Sequence, residues 1–274
     1  MNDNASLRGG LRWAHYAIEA WGLGTFMVVA GSVAVALNVL PPSSALWLLA
    51  HPLGHRAIFG AAMGLTSALI VYSVWGARSG AHINPAMTLT FAALGKIRAR
   101  DALFYSVAQF AGAAAGLALV AWFAGPLLVG PPSHSLVTKP GPAGIPAAFI
   151  GEVAATFVLM SLVLAFSNAP PRIARFTGLA ACVAVALAIT FESPLSGTSL
   201  NPARTLASAL QEHDWTAIWV YFTAPPLGML LAALAYVKLL GADAVLCARL
   251  NHSGPQPCPF RCTYAQRYAD ARSR

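Results

Sequence analysis

The chain has 274 residues, of which 57% are hydrophobic and only 9% charged, against about a quarter charged in ordinary soluble domains. A mean hydropathy of +0.63 over the whole length excludes a water-soluble globular class and a disordered one. The net charge of +8 would by itself suit nucleic acid, but the basic residues are distributed as in a membrane protein, and no nucleic-acid partner is expected.

A membrane-spanning helix needs roughly 20 mostly apolar residues. Reading for such runs gives 14–40, 56–74, 102–124, 145–166, 176–191 and 216–240. The first follows Arg8 and Arg12 as a signal peptide would, but it is too long for an h-region and lacks a convincing cleavage site, so it is expected to be retained. Two further apolar stretches, 85–94 and 202–210, are too short to span, and each begins with Asn-Pro. With six alternating helices and an inner N-terminus, only Arg56, Lys139 and Arg204 of the 17 lysines and arginines fall outside. Both termini are therefore expected on the cytoplasmic side. The predicted organisation is a cytoplasmic segment 1–13, a membrane domain 14–240 and a cytoplasmic tail 241–274. The four cysteines are too few and too unevenly placed for a disulfide scaffold, and Cys182, in mid-helix, reads as a small core residue.

An internal repeat organises the membrane domain. Ser79-Gly80-Ala81-His82-Ile83-Asn84-Pro85-Ala86-Met87-Thr88-Leu89 recurs as Ser196-Gly197-Thr198-Ser199-Leu200-Asn201-Pro202-Ala203-Arg204-Thr205-Leu206. With three spans in each half, roughly 14–125 and 145–240, the second copy enters the membrane from the opposite face. That is an inverted-topology duplication, in which interrupted helices mark the functional site. Asn followed by Pro starts a helix, because Asn caps and Pro at the first position loses no needed hydrogen bond. Two such half-helices would bring their N-termini together near the midplane. If each Asn carbonyl is occupied by backbone donors, its amide NH₂ points into the cavity, beside the positive ends of two helix dipoles. Such a site accepts a water or hydroxyl oxygen and repels protons and other cations.

With two Asn-Pro-Ala copies (Asn84, Pro85, Ala86 and Asn201, Pro202, Ala203), the chain resembles the aquaporin and aquaglyceroporin family, the major intrinsic proteins, over roughly residues 14–240. Glu19 with Gly24-Thr25-Phe26, Gln109 with Gly112-Ala113, Glu152 with Thr156-Phe157, and Pro225-Pro226 with Gly228 also fit. The resemblance implies an all-α membrane bundle of six transmembrane helices and two re-entrant half-helices. It also implies a homotetramer with one pore per subunit and, from the likeness to a less typical bacterial branch, an inner-membrane location. It places an outer selectivity filter at Met63, Ile189, Thr198 and Arg204, with Ala188 or Thr190 as register alternatives to Ile189. Arg204 would orient solutes and exclude cations. The set lacks the aromatic rings usual at such filters, so a wide, partly apolar opening is expected, passing water and small polyols such as glycerol.

Glu19 and Glu152 lie inside apolar helices, where a carboxyl needs partners; they are read as supports for the re-entrant loops, with proton coupling as the alternative. His82 is open between loop anchoring and pore lining or pH-sensitive gating. Glu192 is expected to face the outer vestibule. In the tail, Cys247, His252, Cys258 and Cys262 could form a tetrahedral zinc site, although a reducing cytoplasm equally permits free thiols and Cys247 could simply be a packing residue at the end of the sixth helix. A cap over the inner pore mouth is a further possibility for this segment. The pore itself calls for no cofactor, and no catalytic constellation is present. The expectation is a passive channel in the lipid bilayer, not an enzyme. A proton-coupled secondary transporter or a non-conducting sensor acting through the Cys/His tail are the alternatives.

Overall fold

A computed structural model describes residues 12–41, 43–44, 50–131, 133–252 and 257–269. Most of the expected N-terminal segment and the last residues of the tail lie outside these.

Among the described residues the chain is helical throughout and forms no strand. Five helices are long and apolar enough to cross a membrane: α1 (Trp13–Asn38), α2 (Pro52–Tyr72), α5 (Ala99–Ala124), α6 (Gly144–Ser167) and α11 (Ile218–Leu240). The sixth span is α8 (Thr177–Phe191), an apolar helix of only 15 residues, or about 22 Å at 1.5 Å per residue. It is bounded by the short α7 (Pro171–Ala174) before it and α9 (Ser193–Ser196) after it. Pro194 cannot donate back to the Thr190 carbonyl and so ends the helix on one side, and on the other the chain turns at Arg175 and Phe176 after α7. A further short helix, α3 (Val74–Ser79), leads into the first Asn-Pro-Ala loop, and α4 (Pro85–Ala93) and α10 (Pro202–Glu212) are the two half-helices.

The long helices do not bury a single stripe. Large apolar side chains remain exposed around the whole bundle, with Trp122, Phe123 and Leu239 each at least 80% exposed. Helices apolar on every side belong in lipid. The interior is held by three helix pairs, α1 with α5, α6 with α11, and α2 with α8. The first two pairs are equivalent in the two halves of the duplication, and the third joins the halves. Close approach at these seams depends on small residues. A Cβ on Gly112 would collide with the Ala20 carbonyl of α1, and one on Gly64 with the Cys182 carbonyl of α8.

Candidate functional site

The half-helices start where the sequence places them. Asn84 Oδ1 accepts from Ala86 N at 2.9 Å, and Asn201 Oδ1 accepts from Ala203 N at 3.0 Å, so each Asn caps its helix. The amide groups then cross over. Asn84 Nδ2 donates to Leu200 O and Asn201 Nδ2 to Ile83 O, both at 2.8 Å. Each NH₂ thus spends one hydrogen on the opposite loop, leaving a single N–H for the cavity, a correction to the expectation that the whole NH₂ is available.

The loops leading into the half-helices share an unusual backbone. Gly80, Ala81 and Ile83 have positive φ, and so do Gly197, Thr198 and Leu200 at the matching positions. For residues other than glycine this conformation costs roughly 1–2 kcal/mol each, and it persists only where the surroundings fix it. Two fully buried carboxylates do so. Glu19 accepts from Ser79 Oγ at 2.7 Å, His82 N at 3.2 Å, Ile83 N at 2.7 Å and Gln109 Nε2 at 2.8 Å. Glu152 accepts from Ser196 Oγ at 2.7 Å, Leu200 N at 2.8 Å and Ser199 N. Tyr105 and Tyr221 complete the correspondence, donating to Ser79 O and Ser196 O at 2.7 Å each.

One cavity of about 690 Å³ runs past both asparagines. Towards the face opposite Arg12 it is lined by Met63, Ile189, Thr198 and Arg204, all four of the positions assigned to an outer filter, and also by Arg56, Phe59 and Ser193. Arg204 Nη1 donates to Leu136 O at 2.8 Å, which ties it to the loop between α5 and α6. The Arg56 side chain donates to Thr190 O at 3.0 Å. Phe59 went unnoticed in the sequence, although it stands one turn from Met63 on α2, and an i−4 position shares a helix face. Glu192 does not face the vestibule: it is 9% exposed, accepts from Thr198 Oγ1 at 2.6 Å and packs over Gly151. The Thr198 hydroxyl is thereby committed away from a passing solute. His82 both lines the cavity and is anchored, with Nδ1 3.1 Å from Thr88 Oγ1 and Nε2 2.8 Å from Ala248 O.

The tail folds back onto the face that carries Arg12. Cys247, Cys258 and Cys262 converge, with their sulfur atoms within 4.8 Å of one another and Cys247 Sγ 3.3 Å from Cys258 Sγ. Cys247 lies beyond the sixth span, which ends at Leu240, so it is not a residue of that helix. Bonds from the Cys247 and then the Cys258 sulfhydryl hold the Cys262 thiol well below the usual thiol range, whereas burial pushes Cys247 up. His252 is not among the three residues whose ligand atoms converge; its ring stacks on Tyr264, centroids 3.8 Å apart, and its side chain adds to the interactions that lower the Cys262 thiol.

Residues 13–236 match the major intrinsic protein family. The chain is 36% identical over 233 residues to Aquaporin NIP1-3 of Oryza sativa subsp. japonica, covering 82% of this chain and 73% of that one. It is 32% identical over 186 residues to Probable aquaporin NIP7-1 of Arabidopsis thaliana, covering 67% and 65%. The X-ray structure of the aquaglyceroporin from Plasmodium falciparum shares the fold, with a TM-score of 0.69 at 21% identity over 85% of this chain and 98% of that one.

Proposed function

The chain belongs to the major intrinsic protein family, and from that premise we propose that its cavity is the conduction path of a passive channel for water and small neutral solutes such as glycerol. It is an integral multi-pass membrane protein and not an enzyme. The observation that carries the conduction path is the crossed pair of capped asparagines, Asn84 and Asn201, lining one cavity from opposite half-helices. A solute oxygen accepts the remaining N–H of each amide. The positive ends of α4 and α10 oppose any cation there.

Met63, Ile189, Thr198 and Arg204 form the outer filter, with Phe59, one turn from Met63 on α2, lining the same cavity. Support comes from their shared lining of the outer cavity. Glu19 and Glu152 hold the loops, and their carboxylate oxygens are already occupied by loop donors, which disfavours proton relay. The protein works as a homotetramer in a bacterial inner membrane with both termini in the cytoplasm. The distribution of basic residues supports the orientation, and the exposed Trp122, Phe123 and Leu239 suit lipid or subunit contacts. The pore needs no cofactor. The tail site takes zinc: three thiolates about 2.3 Å from a zinc ion sit roughly 3.8 Å apart in a tetrahedral site, which suits sulfurs gathered within 4.8 Å.

Stopped-flow light scattering on proteoliposomes tests the channel. Water efflux with a low activation energy, and glycerol entry linear in its gradient, are expected. Uptake that saturates and collapses with the proton gradient would overturn the reading in favour of a transporter.

A further inference from the structure

The tail does more than gather cysteines: it occupies the inner end of the cavity. Residues 245–251 are buried throughout, and Leu250 lines the cavity itself, across from Val71 and His82. One arm is bonded to the first re-entrant loop and its approach. Ala248 O accepts from His82 Nε2 at 2.8 Å, Leu250 N donates to Gly80 O at 3.3 Å, and the Arg249 and Asn251 side chains donate to Ala77 O and Val71 O. The same arm is bonded to the turn after α6, where Asn168 Oδ1 accepts from Leu246 N at 2.7 Å. The returning arm brings Phe260 flat against the His82 ring, with centroids 5.1 Å apart and planes 4° from parallel. It is tied down by Arg261 N on Lys96 O at 3.0 Å, and by Tyr264 Oη on Ala169 O at 2.8 Å. The segment is thus a strap across the pore mouth, fastened on both sides.

The cysteines sit where the two arms meet. Cys247 belongs to the arm that ends in Leu250, and Cys258 and Cys262 flank Phe260 on the other. The three-sulfur site therefore exists only when both arms are docked. A ligand that binds one conformer stabilises that conformer, about 100-fold at a concentration 100 times its Kd. We infer that a soft divalent cation such as zinc, held by Cys247, Cys258 and Cys262, locks this strap over the cytoplasmic mouth and closes the channel, and that losing the metal opens it. This rests on the zinc reading of the tail and adds to it a consequence for flux.

The test uses the full chain in proteoliposomes whose tail side is accessible, with two readouts. Bound zinc is measured by elemental analysis after gel filtration, together with the thiolate-to-metal charge-transfer band of the cobalt-substituted protein. Water permeability is measured with zinc and after a membrane-permeant chelator. One zinc per chain, and a permeability that rises several-fold on chelation, are expected. Cys258→Ser with Cys262→Ser should bind no zinc and conduct at the chelated rate. Leu250→Ala, which keeps all three thiols and both docked arms but trims the side chain that lines the cavity, should still bind zinc and yet conduct while loaded, and this answers the concern that the cysteine variants fail to fold. Stoichiometric zinc with no change of flux on chelation overturns the gate and leaves the site standing. Failure to retain zinc or cobalt overturns both.

Discussion

Asn84 donates from its side chain to the backbone carbonyl of Leu200 at 2.8 Å, so the cap of one half-helix is also a strut of the opposite loop. Asn201 returns the bond to Ile83 at the same length. Replacing Asn84 by Asp keeps the oxygen that caps Ala86 but removes the donor to Leu200 and the N–H that faces the cavity. It also places a carboxylate between two helix N-termini, where a negative charge is welcome. The expected result is a folded protein with reduced water flux and a measurable proton leak, read with a pH-sensitive dye inside proteoliposomes. Asn201→Asp should behave alike, since its bonds are the same. A leak from only one of the two would contradict their equivalence.

Glu19 and Glu152 can be separated from any proton-coupled role by substitution with Gln. Each change replaces a carboxylate oxygen by an NH₂ facing backbone N–H or hydroxyl donors, and an unsatisfied buried group costs about 1–3 kcal/mol. The variants should unfold at lower temperature in detergent and give less folded protein. Water flux per folded channel should hold near the parent value, because the carboxylates support the loops without lining the cavity. Normal stability with a lost proton dependence of solute uptake would instead revive the transporter.

The parts of the site that were legible in the sequence are those with a local chemical signature. Asn-Pro fixes a helix start through its own backbone, and a carboxyl in an apolar helix demands donors wherever the helix is packed, so both repeats and both glutamates could be found by reading along the chain. The short span 176–191 was legible as an unbroken apolar run. What escaped depends on contacts between distant segments. Phe260 reaches His82 and Leu250 reaches the cavity only through a chain reversal with no periodic pattern to announce it. Glu192 looked like a surface acid because it follows a span, yet Gly151 leaves room for it to turn inward against Thr198.

Met63 lines the cavity and is 1% exposed, and in the proposed filter it bounds the outer opening. Replacing it with Trp puts a rigid ring where a flexible thioether lay, in the cavity that Arg204 also lines. Pore diameter governs which solutes pass, so glycerol and urea entry should fall about tenfold while water flux falls by less than about threefold. Arg204→Ala should do the reverse, raising solute entry and weakening cation exclusion, since it removes both a permanent charge and the bond to Leu136 O. Stopped-flow swelling with each solute, alongside a sodium-flux dye, reads both variants. Unchanged glycerol entry in Met63→Trp would show that the narrowest point lies elsewhere.

On the face away from the tail, Lys139 pairs with Asp214, and Thr216 N donates to the same carboxylate at 3.0 Å. The lysine first and Thr216 second hold the Asp214 carboxyl down to about 2, against an ordinary value of about 3.9. A carboxylate with a depressed folded pKa contributes stability that is fully present above its unfolded pKa and is lost as pH falls through the folded one. The contribution should therefore be complete above about pH 4 and vanish on the way to about pH 2. It should also be small and sensitive to salt, because the lysine side chain is 42% exposed and surface pairs are screened. Thermal unfolding of the parent and of Asp214→Asn across this range checks the sign. The gap between their midpoints should stay level from neutral pH down to about 4 and then close. A gap that widens on acidification, or is already gone near pH 6, would mean that the pair does not hold the loop between α5 and α6 to the approach of α11.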